Sequence, residues 1–185
     1  MSLKSTREFL LQEKFFSIRD KVKVMSIDKK ELGIFIAKII SIGKNYRLYD
    51  IDDQENAILT VKEKVISLRS TYSFYKGEKD DENLIGKLKR KLISIKPKYW
   101  FEDPDENKLF TMKGNIWQLK YKIFLEEKVV AEISKKLWKI KDTYGIRLDQ
   151  SLDDDSAMLV LGIVVMLHHE KEEEEERRRQ QQRFH

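Results

Sequence analysis

The side chains that most often carry enzyme chemistry are scarce in this sequence. It contains no cysteine, and its three histidines, His168, His169 and His185, all lie within the last 18 of 185 residues. Thiol nucleophiles, disulfide scaffolds and cysteine-ligated metal sites are therefore excluded. The first 167 residues offer no imidazole for a catalytic triad, and no phosphate-binding glycine loop or nucleophile elbow occurs. We predict no catalytic residues, no metal site and no cofactor.

Lysines offer a different chemistry, which is the binding of anions. Lys87, Lys89 and Lys91 alternate with Leu88 and Leu92, and on a β-strand this spacing places the three lysines on one face. A one-sided row of ammonium groups suits the headgroups of anionic lipids. The same row also keeps a strand face soluble and blocks pairing at a sheet edge. We assign Lys87, Lys89 and Lys91 as candidate lipid-headgroup ligands.

The net charge is compatible with an anionic partner but does not identify one. The chain has 37 Lys and Arg against 32 Asp and Glu, and the excess lies before residue 170. This balance favours weak attraction to anionic lipid or nucleic acid, and it is equally typical of a solvated surface. Tyr99 and Trp100 follow the lysine row, so base stacking is an alternative, although no nucleic-acid-binding motif accompanies them.

Strands are predicted for most of the chain because apolar and polar residues alternate. Leu59, Val61 and Val65 form one such apolar row, which Glu63 interrupts, and Arg90 interrupts another. Two interpretations of these charges remain open. They lie at a barrel rim or pair across strands, or they form a polar site in the interior.

A loose repeat of roughly 22–27 residues suggests one β-hairpin per unit. Four copies end in Tyr46, Tyr72, Tyr99 and Tyr144, and their sequences are IISIGKNY (39–46), VISLRSTY (65–72), LISIKPKY (92–99) and LWKIKDTY (137–144). Looser copies are FFSIRDKV (15–22) and IWQLKYKI (116–123). Six hairpin units give about twelve antiparallel strands, a number that favours a closed barrel or two packed sheets over a flat open sheet.

A helix is predicted to start near Asp153, because three aspartates and Ser156 precede the apolar run 157–167. Helix capping explains these carboxylates better than a calcium or magnesium site does. The run has 11 residues, too few to cross a bilayer, and it is apolar on every helical face. Such a helix must be buried on all sides, so we expect it inside the barrel, with Gly162 allowing close approach of the wall. A helix that dips into a membrane is the alternative.

These elements divide the chain into two parts. Residues 1–169 are expected to form a mainly β domain that encloses a central helix at about 153–169. Residues 170–185 are a charged, low-complexity tail that extends this helix, since its Glu and Arg blocks lie three or four residues apart. No secretory signal is visible, so we expect a cytoplasmic protein that associates with a membrane at most peripherally.

The ordered set of segments resembles the LURP-one-related family, within the tubby C-terminal-like and scramblase-like group. The segments that carry the resemblance are KFFSIRDKVKV (14–24), KIISIGKNYRLYDID (38–52), KLISIKPKYWF (91–101), GNIWQLKYKI (114–123), VVAEISKKLW (129–138), DTYGIRLD (142–149) and MLVLGIVVMLHH (158–169). The resemblance implies a twelve-stranded barrel around a hydrophobic helix. Tubby-like domains bind phosphoinositides, so it also implies a lipid partner, although no tubby headgroup motif or scramblase palmitoylation segment is present.

Taken together, these observations favour a non-enzymatic module that binds anionic phospholipid or phosphoinositide headgroups through a basic outer face. The alternative is a soluble scaffold or regulatory domain with a protein partner that docks on the tail. Nucleic-acid binding is the weaker alternative.

Overall fold

The protein is built mainly from strands in which buried and exposed residues alternate. In the computed structural model, which describes residues 2–12, 21–39, 44–64, 70–78, 81–92, 98–138 and 143–183, the chain forms twelve strands and one long helix. The elements are β1 (Glu8–Gln12), β2 (Lys21–Met25), β3 (Glu31–Ile39), β4 (Lys44–Asp50), β5 (Leu59–Glu63), β6 (Thr71–Lys76), β7 (Leu84–Arg90), β8 (Tyr99–Glu102), β9 (Lys108–Asn115), β10 (Lys120–Leu125), β11 (Lys128–Ser134), β12 (Thr143–Leu148) and α1 (Asp154–Arg183). A 3₁₀ turn, Asp81–Asn83, precedes β7.

Each strand pairs with its neighbours in sequence, and β1 pairs with β12 to close the barrel. All pairs are antiparallel, so the connections alternate between the two ends of the barrel. The predicted closed barrel of twelve strands is confirmed. Val65 and the middle of most repeat copies lie outside the described residues, in 13–20, 40–43, 65–69, 93–97 and 139–142.

The interior of the barrel is filled by α1. Every residue from Ala157 to Lys171 is buried, and the apolar run packs into one core with the inward side chains of the strands. A helix that is apolar on every face has no stable surface position in water, and the barrel wall surrounds it. The predicted enclosed hydrophobic helix is confirmed.

The start of α1 is capped as its sequence predicts. The Asp153 carboxylate accepts hydrogen bonds from the Ser156 backbone N–H and hydroxyl at 2.9 and 2.7 Å. Arg7, from the N-terminal segment, forms an ion pair with Asp154 at 2.7 Å. The acidic group therefore serves the helix N-terminus, where its charge also complements the helix dipole.

The structure differs from the sequence pattern at two places, the end of β7 and the start of the charged tail. β7 ends at Arg90, so Lys91 lies beyond the strand, and Leu92 is 52% exposed instead of continuing the buried face of Leu88. The pattern misleads here because polar–apolar alternation continues past the last residue that pairs with β8. Glu170 and Lys171, which the sequence places in the charged tail, are buried within the barrel.

Candidate functional site

The outer surface of β7–β10 carries a concentration of basic side chains. The inward residues Leu88, Phe101, Met112 and Ile123 are buried, so their strand neighbours point outward. We call these outward residues the basic wall: Lys87, Lys89, Trp100, Lys113, Lys120, Lys122 and Phe124.

The centre of the basic wall is a pair of like charges. Lys113 and Lys122 are directly opposite each other across β9 and β10, and both are exposed. Within the described residues neither forms an ion pair with a carboxylate, and the Lys113 ammonium lies 4.7 Å from the centroid of the Phe124 ring. Like charges directly opposite each other destabilise a sheet. On its other side Lys122 lies directly opposite Glu132 of β11, so one carboxylate neighbours this pair of like charges.

A shallow groove adjoins this pair on the outer surface of β9–β11. Its volume is about 220 Å³. It is lined by Lys113, Gly114, Lys120, Tyr121, Lys122, Glu132, Ile133 and Ser134. Gly114 has φ +127°, and a Cβ there would lie 2.7 Å from the Lys120 carbonyl oxygen, so a side chain would not fit between the strands. Three lysines at the edge of one groove suit a phosphate-bearing ligand.

The lysines that the sequence identified have unequal environments. Lys89 forms an ion pair with Glu102, whose other oxygen accepts a hydrogen bond from the Trp100 indole at 3.1 Å. Its charge is therefore balanced inside the protein. Lys87 is half-buried on the same face, and Lys91 is exposed beyond the strand. The structure thus places two of the three on one strand face, and it adds Lys113, Lys120 and Lys122, which the sequence analysis did not single out.

A second polar cluster lies inside the barrel where α1 leaves it. We call it the tyrosine collar, and it consists of Tyr46, Tyr72, Tyr99 and Tyr144 around His168, His169 and Glu170. These are the four tyrosines that end the repeat units. Because each tyrosine lies within the first three residues of its strand, and these four strands run in the same direction, closure of the barrel brings the four rings together around the helix.

Glu170 is the centre of the collar. Its carboxylate is 2% exposed and accepts hydrogen bonds from the hydroxyls of Tyr72 at 2.6 Å and Tyr99 at 3.1 Å. The Arg90 guanidinium lies 3.5 Å from the same carboxylate. Burial and the nearby Glu170 charge raise the pKa of the Tyr72 hydroxyl well above its ordinary value, so it stays protonated and donates. Arg90 thus faces the interior and pairs with the helix, not across strands.

The two histidines complete the collar. The His168 ring stacks on Tyr144 with centroids 5.1 Å apart, and its Nε2 lies 3.4 Å from Glu172. His169 Nε2 lies 2.8 Å from the Tyr46 hydroxyl. Partial burial acts to raise the pKa of Glu172, but the nearby His168 ring and the Lys171 ammonium, which donates a hydrogen bond at 2.9 Å, outweigh it and hold that pKa at about 2. The collar supplies hydrogen-bond partners to the polar end of a buried helix.

No helix among the described residues is long and apolar enough to cross a membrane. The described part of the chain also contains no group of three or more His, Asp or Glu residues arranged to hold a metal ion.

Comparison with known proteins identifies the family and the fold. The sequence model described as LURP-one-related matches residues 7–168. A crystal structure of a protein from Arabidopsis thaliana is similar, with a TM-score of 0.59 and 13% sequence identity over 85% of this chain and 88% of that one. No curated protein matches the sequence.

Proposed function

This chain belongs to the LURP-one-related family, and on that premise we propose that it is a non-enzymatic barrel module that binds anionic membrane lipid headgroups through its basic wall. The partner is anionic phospholipid or phosphoinositide, contacted peripherally at a cytoplasmic membrane surface. The observation that carries the proposal is the opposed pair of Lys113 and Lys122, which form no ion pair with a carboxylate among the described residues, although Glu132 is the neighbour of Lys122 on β11.

The charge distribution supports the choice of this face. Residues 84–125 contain ten Lys or Arg and four Asp or Glu, so most of the positive excess of the chain lies in this quarter of the sequence. On the outward faces of these strands, which are consecutive in the barrel, Lys87, Lys89, Lys113, Lys120 and Lys122 outnumber Glu102, so one sector of the wall is positively charged. A patch of one sign on one sector orients a protein against a charged surface.

Aromatic and aliphatic side chains within the patch favour a membrane over a soluble anion. Trp100 and Phe124 are half-buried, with Lys108 and Lys113 over their rings, and Val129 beside Phe124 is 37% exposed. Tryptophan and other aromatic residues partition to the headgroup region of bilayers, where lysines reach lipid phosphates. The basic wall combines both kinds of group.

The proposal is tested by co-sedimentation with neutral and anionic vesicles at low and moderate salt. Each surface lysine contributes about 1 kcal/mol near an anionic membrane, so Lys113→Gln/Lys122→Gln should weaken binding by roughly thirtyfold. Lys87→Gln/Lys91→Gln should weaken binding in the same direction. Lys89→Gln should have a smaller effect, because the charge of Lys89 is already balanced by Glu102.

The matched control is Lys4→Gln/Lys30→Gln, which changes the net charge equally at two exposed positions away from the basic wall. It should bind anionic vesicles almost as well as the unmodified protein. Equal losses in the two double variants would mean that net charge, not this face, drives association. Absence of binding to any vesicle would contradict the proposal. Binding to single-stranded nucleic acid but not to vesicles would instead favour the nucleic-acid alternative.

A further inference from the structure

Charge is separated along the barrel axis. Most connections at the end where α1 begins are acidic, although the β2–β3 connection also carries Lys29 and Lys30. The acidic residues include Asp52, Asp53, Glu55, Asp103, Asp105, Glu106, Glu126, Glu127, Asp153, Asp154 and Asp155. At the other end, where α1 leaves the barrel, the strand ends and described parts of the connections carry Lys64, Arg90, Lys91, Lys98, Lys113, Lys120, Lys135 and Lys136. The basic wall meets this second end.

Where α1 leaves the barrel through the basic end, its sequence contains a block of acidic residues. The block is residues 170–176, six glutamates and one lysine. Glu170 is buried, and residues 172–175 are half-buried, so the block lies against the barrel instead of projecting freely. The first exposed residue of the helix after the barrel is Glu176. An acidic segment therefore occupies the most basic end of the molecule.

Among the described residues, Arg90 is the barrel side chain that forms ion pairs with the block, whose other ion pairs are made within α1. The Arg90 guanidinium lies 3.5 Å from Glu170 and 3.7 Å from Glu174, so one barrel arginine spans a full turn of the helix. On another side a groove of about 500 Å³ separates the helix from the barrel. It is lined by Trp117, Gln118, Lys135, Lys171, Glu172, Glu175 and Arg179. One basic residue of the barrel, Lys135, and two helix glutamates, Glu172 and Glu175, thus face the same space.

All of this acidic block lies beyond the part of the chain that matches the family, since the match ends at residue 168. The barrel and its central helix are complete before Glu172. A helix in a closed barrel does not need five consecutive glutamates to end, because Gln or Lys has similar helix propensity. The sign of the added charge is therefore a separate feature of this chain.

We propose that the segment 172–176 is an intramolecular acidic ligand of the basic barrel end and competes there with anionic lipid. The inference rests on the proposed function and adds its regulation. Carboxylates held within a Debye length, about 8 Å at physiological salt, lower the positive potential that a membrane would otherwise meet. An anionic membrane binds the barrel more strongly when the segment is neutralised or displaced.

The test compares three full-length proteins on anionic vesicles at low salt. Glu173→Gln/Glu174→Gln/Glu175→Gln/Glu176→Gln removes the acidic block while keeping helix propensity. It should tighten vesicle binding by about fivefold or more, an effect that fades in high salt. In the unmodified protein, vesicle binding should also increase amide hydrogen exchange in residues 172–183, because the lipid displaces the segment from the barrel.

The matched control neutralises four exposed acids at the opposite end, Asp52→Asn/Asp105→Asn/Glu126→Gln/Glu127→Gln, with the same change in net charge. It should tighten binding much less. Equal tightening in both variants would overturn the inference, because net charge alone would then explain the effect. Unchanged binding in the tail variant, with the unmodified protein bound to vesicles, would overturn the inference and leave the proposed function standing. Failure of all three proteins to bind would overturn both.

Discussion

At the scale of single residues, Glu170 is a buried carboxylate whose partners all come from the barrel wall. An ionised carboxylate loses several kcal/mol of hydration when it is buried, so it persists only with donors around it. Tyr72, Tyr99 and Arg90 supply those donors from three adjacent strands. The collar therefore sets the position of the helix along the barrel axis as well as satisfying a charge.

Tyr72→Phe should destabilise the fold by about 1–3 kcal/mol, because it leaves the Glu170 carboxylate without its shortest hydrogen bond. Tyr121→Phe is the matched control. The Tyr121 side chain is also buried and inward, but its hydroxyl has no hydrogen-bond partner among the described residues, so its removal should change stability little. Urea unfolding of both variants measures the difference. A similar effect in the two variants would show that the Glu170 hydrogen bond contributes nothing specific.

The sequence predicted part of this site. Tyr46, Tyr72, Tyr99 and Tyr144 stand out as the last residues of the repeat units, and their regular position was visible without coordinates. Their partners were not visible, because the contact depends on how deep the helix sits in the closed barrel. Nothing in the local sequence distinguishes Glu170 from the glutamates that follow, so the sequence alone places it in the solvated tail.

At the scale of elements, the decisive feature is the contrast between two periodicities. Apolar and polar residues alternate along the strands, so one face of each strand is exposed to water. Residues 157–167, in contrast, are apolar on every side of the helix. Only an enclosed position satisfies such a helix in water, and only a closed wall of strands encloses it. Gly162 marks a close approach, since a Cβ there would press on Leu59 and lie 3.3 Å from the Phe74 ring.

Leu161→Asp should abolish cooperative folding, because a carboxylate at a fully buried apolar position costs more than about 4 kcal/mol. Gln181→Asp places the same side chain at an exposed position of the same helix and should leave the melting temperature nearly unchanged. Thermal unfolding followed by circular dichroism measures both. A cooperative transition in Leu161→Asp near that of the unmodified protein would contradict the enclosed helix.

The number of strands and the enclosed position of the helix are predictable from the sequence, but the residues at which the strands end are not. The pattern around Lys91 and Leu92 continues the alternation of β7 although the strand ends at Arg90. Alternation reports which way a side chain points along an extended chain, and the chain continues beyond the strand, with the Lys91 N–H still donating to the Lys98 carbonyl at 2.8 Å. The same pattern marks Arg90 as a charged residue in an apolar row, and its contact with the helix explains this position.

At the scale of the whole molecule, the closed barrel converts a linear order of strands into a surface with distinct sectors and ends. Lys113 and Lys122 are nine residues apart in sequence and become direct neighbours only through the pairing of β9 with β10. The lysine row on one strand is therefore visible in the sequence, whereas the larger patch that spans four strands is visible only in the fold. The axial separation of charge has the same origin, because alternate connections meet at the same end.

The most direct test of the account is to locate the face that touches a membrane. The chain has no cysteine, so Lys122→Cys on the basic wall and Lys62→Cys on β5 each provide one labelling site, with equal change in charge. An environment-sensitive fluorophore is attached at each position and titrated with anionic vesicles. The account predicts a blue shift at position 122 and little change at position 62. A shift at position 62 alone, or equal shifts at both, would contradict the assignment of the basic wall as the lipid-binding face.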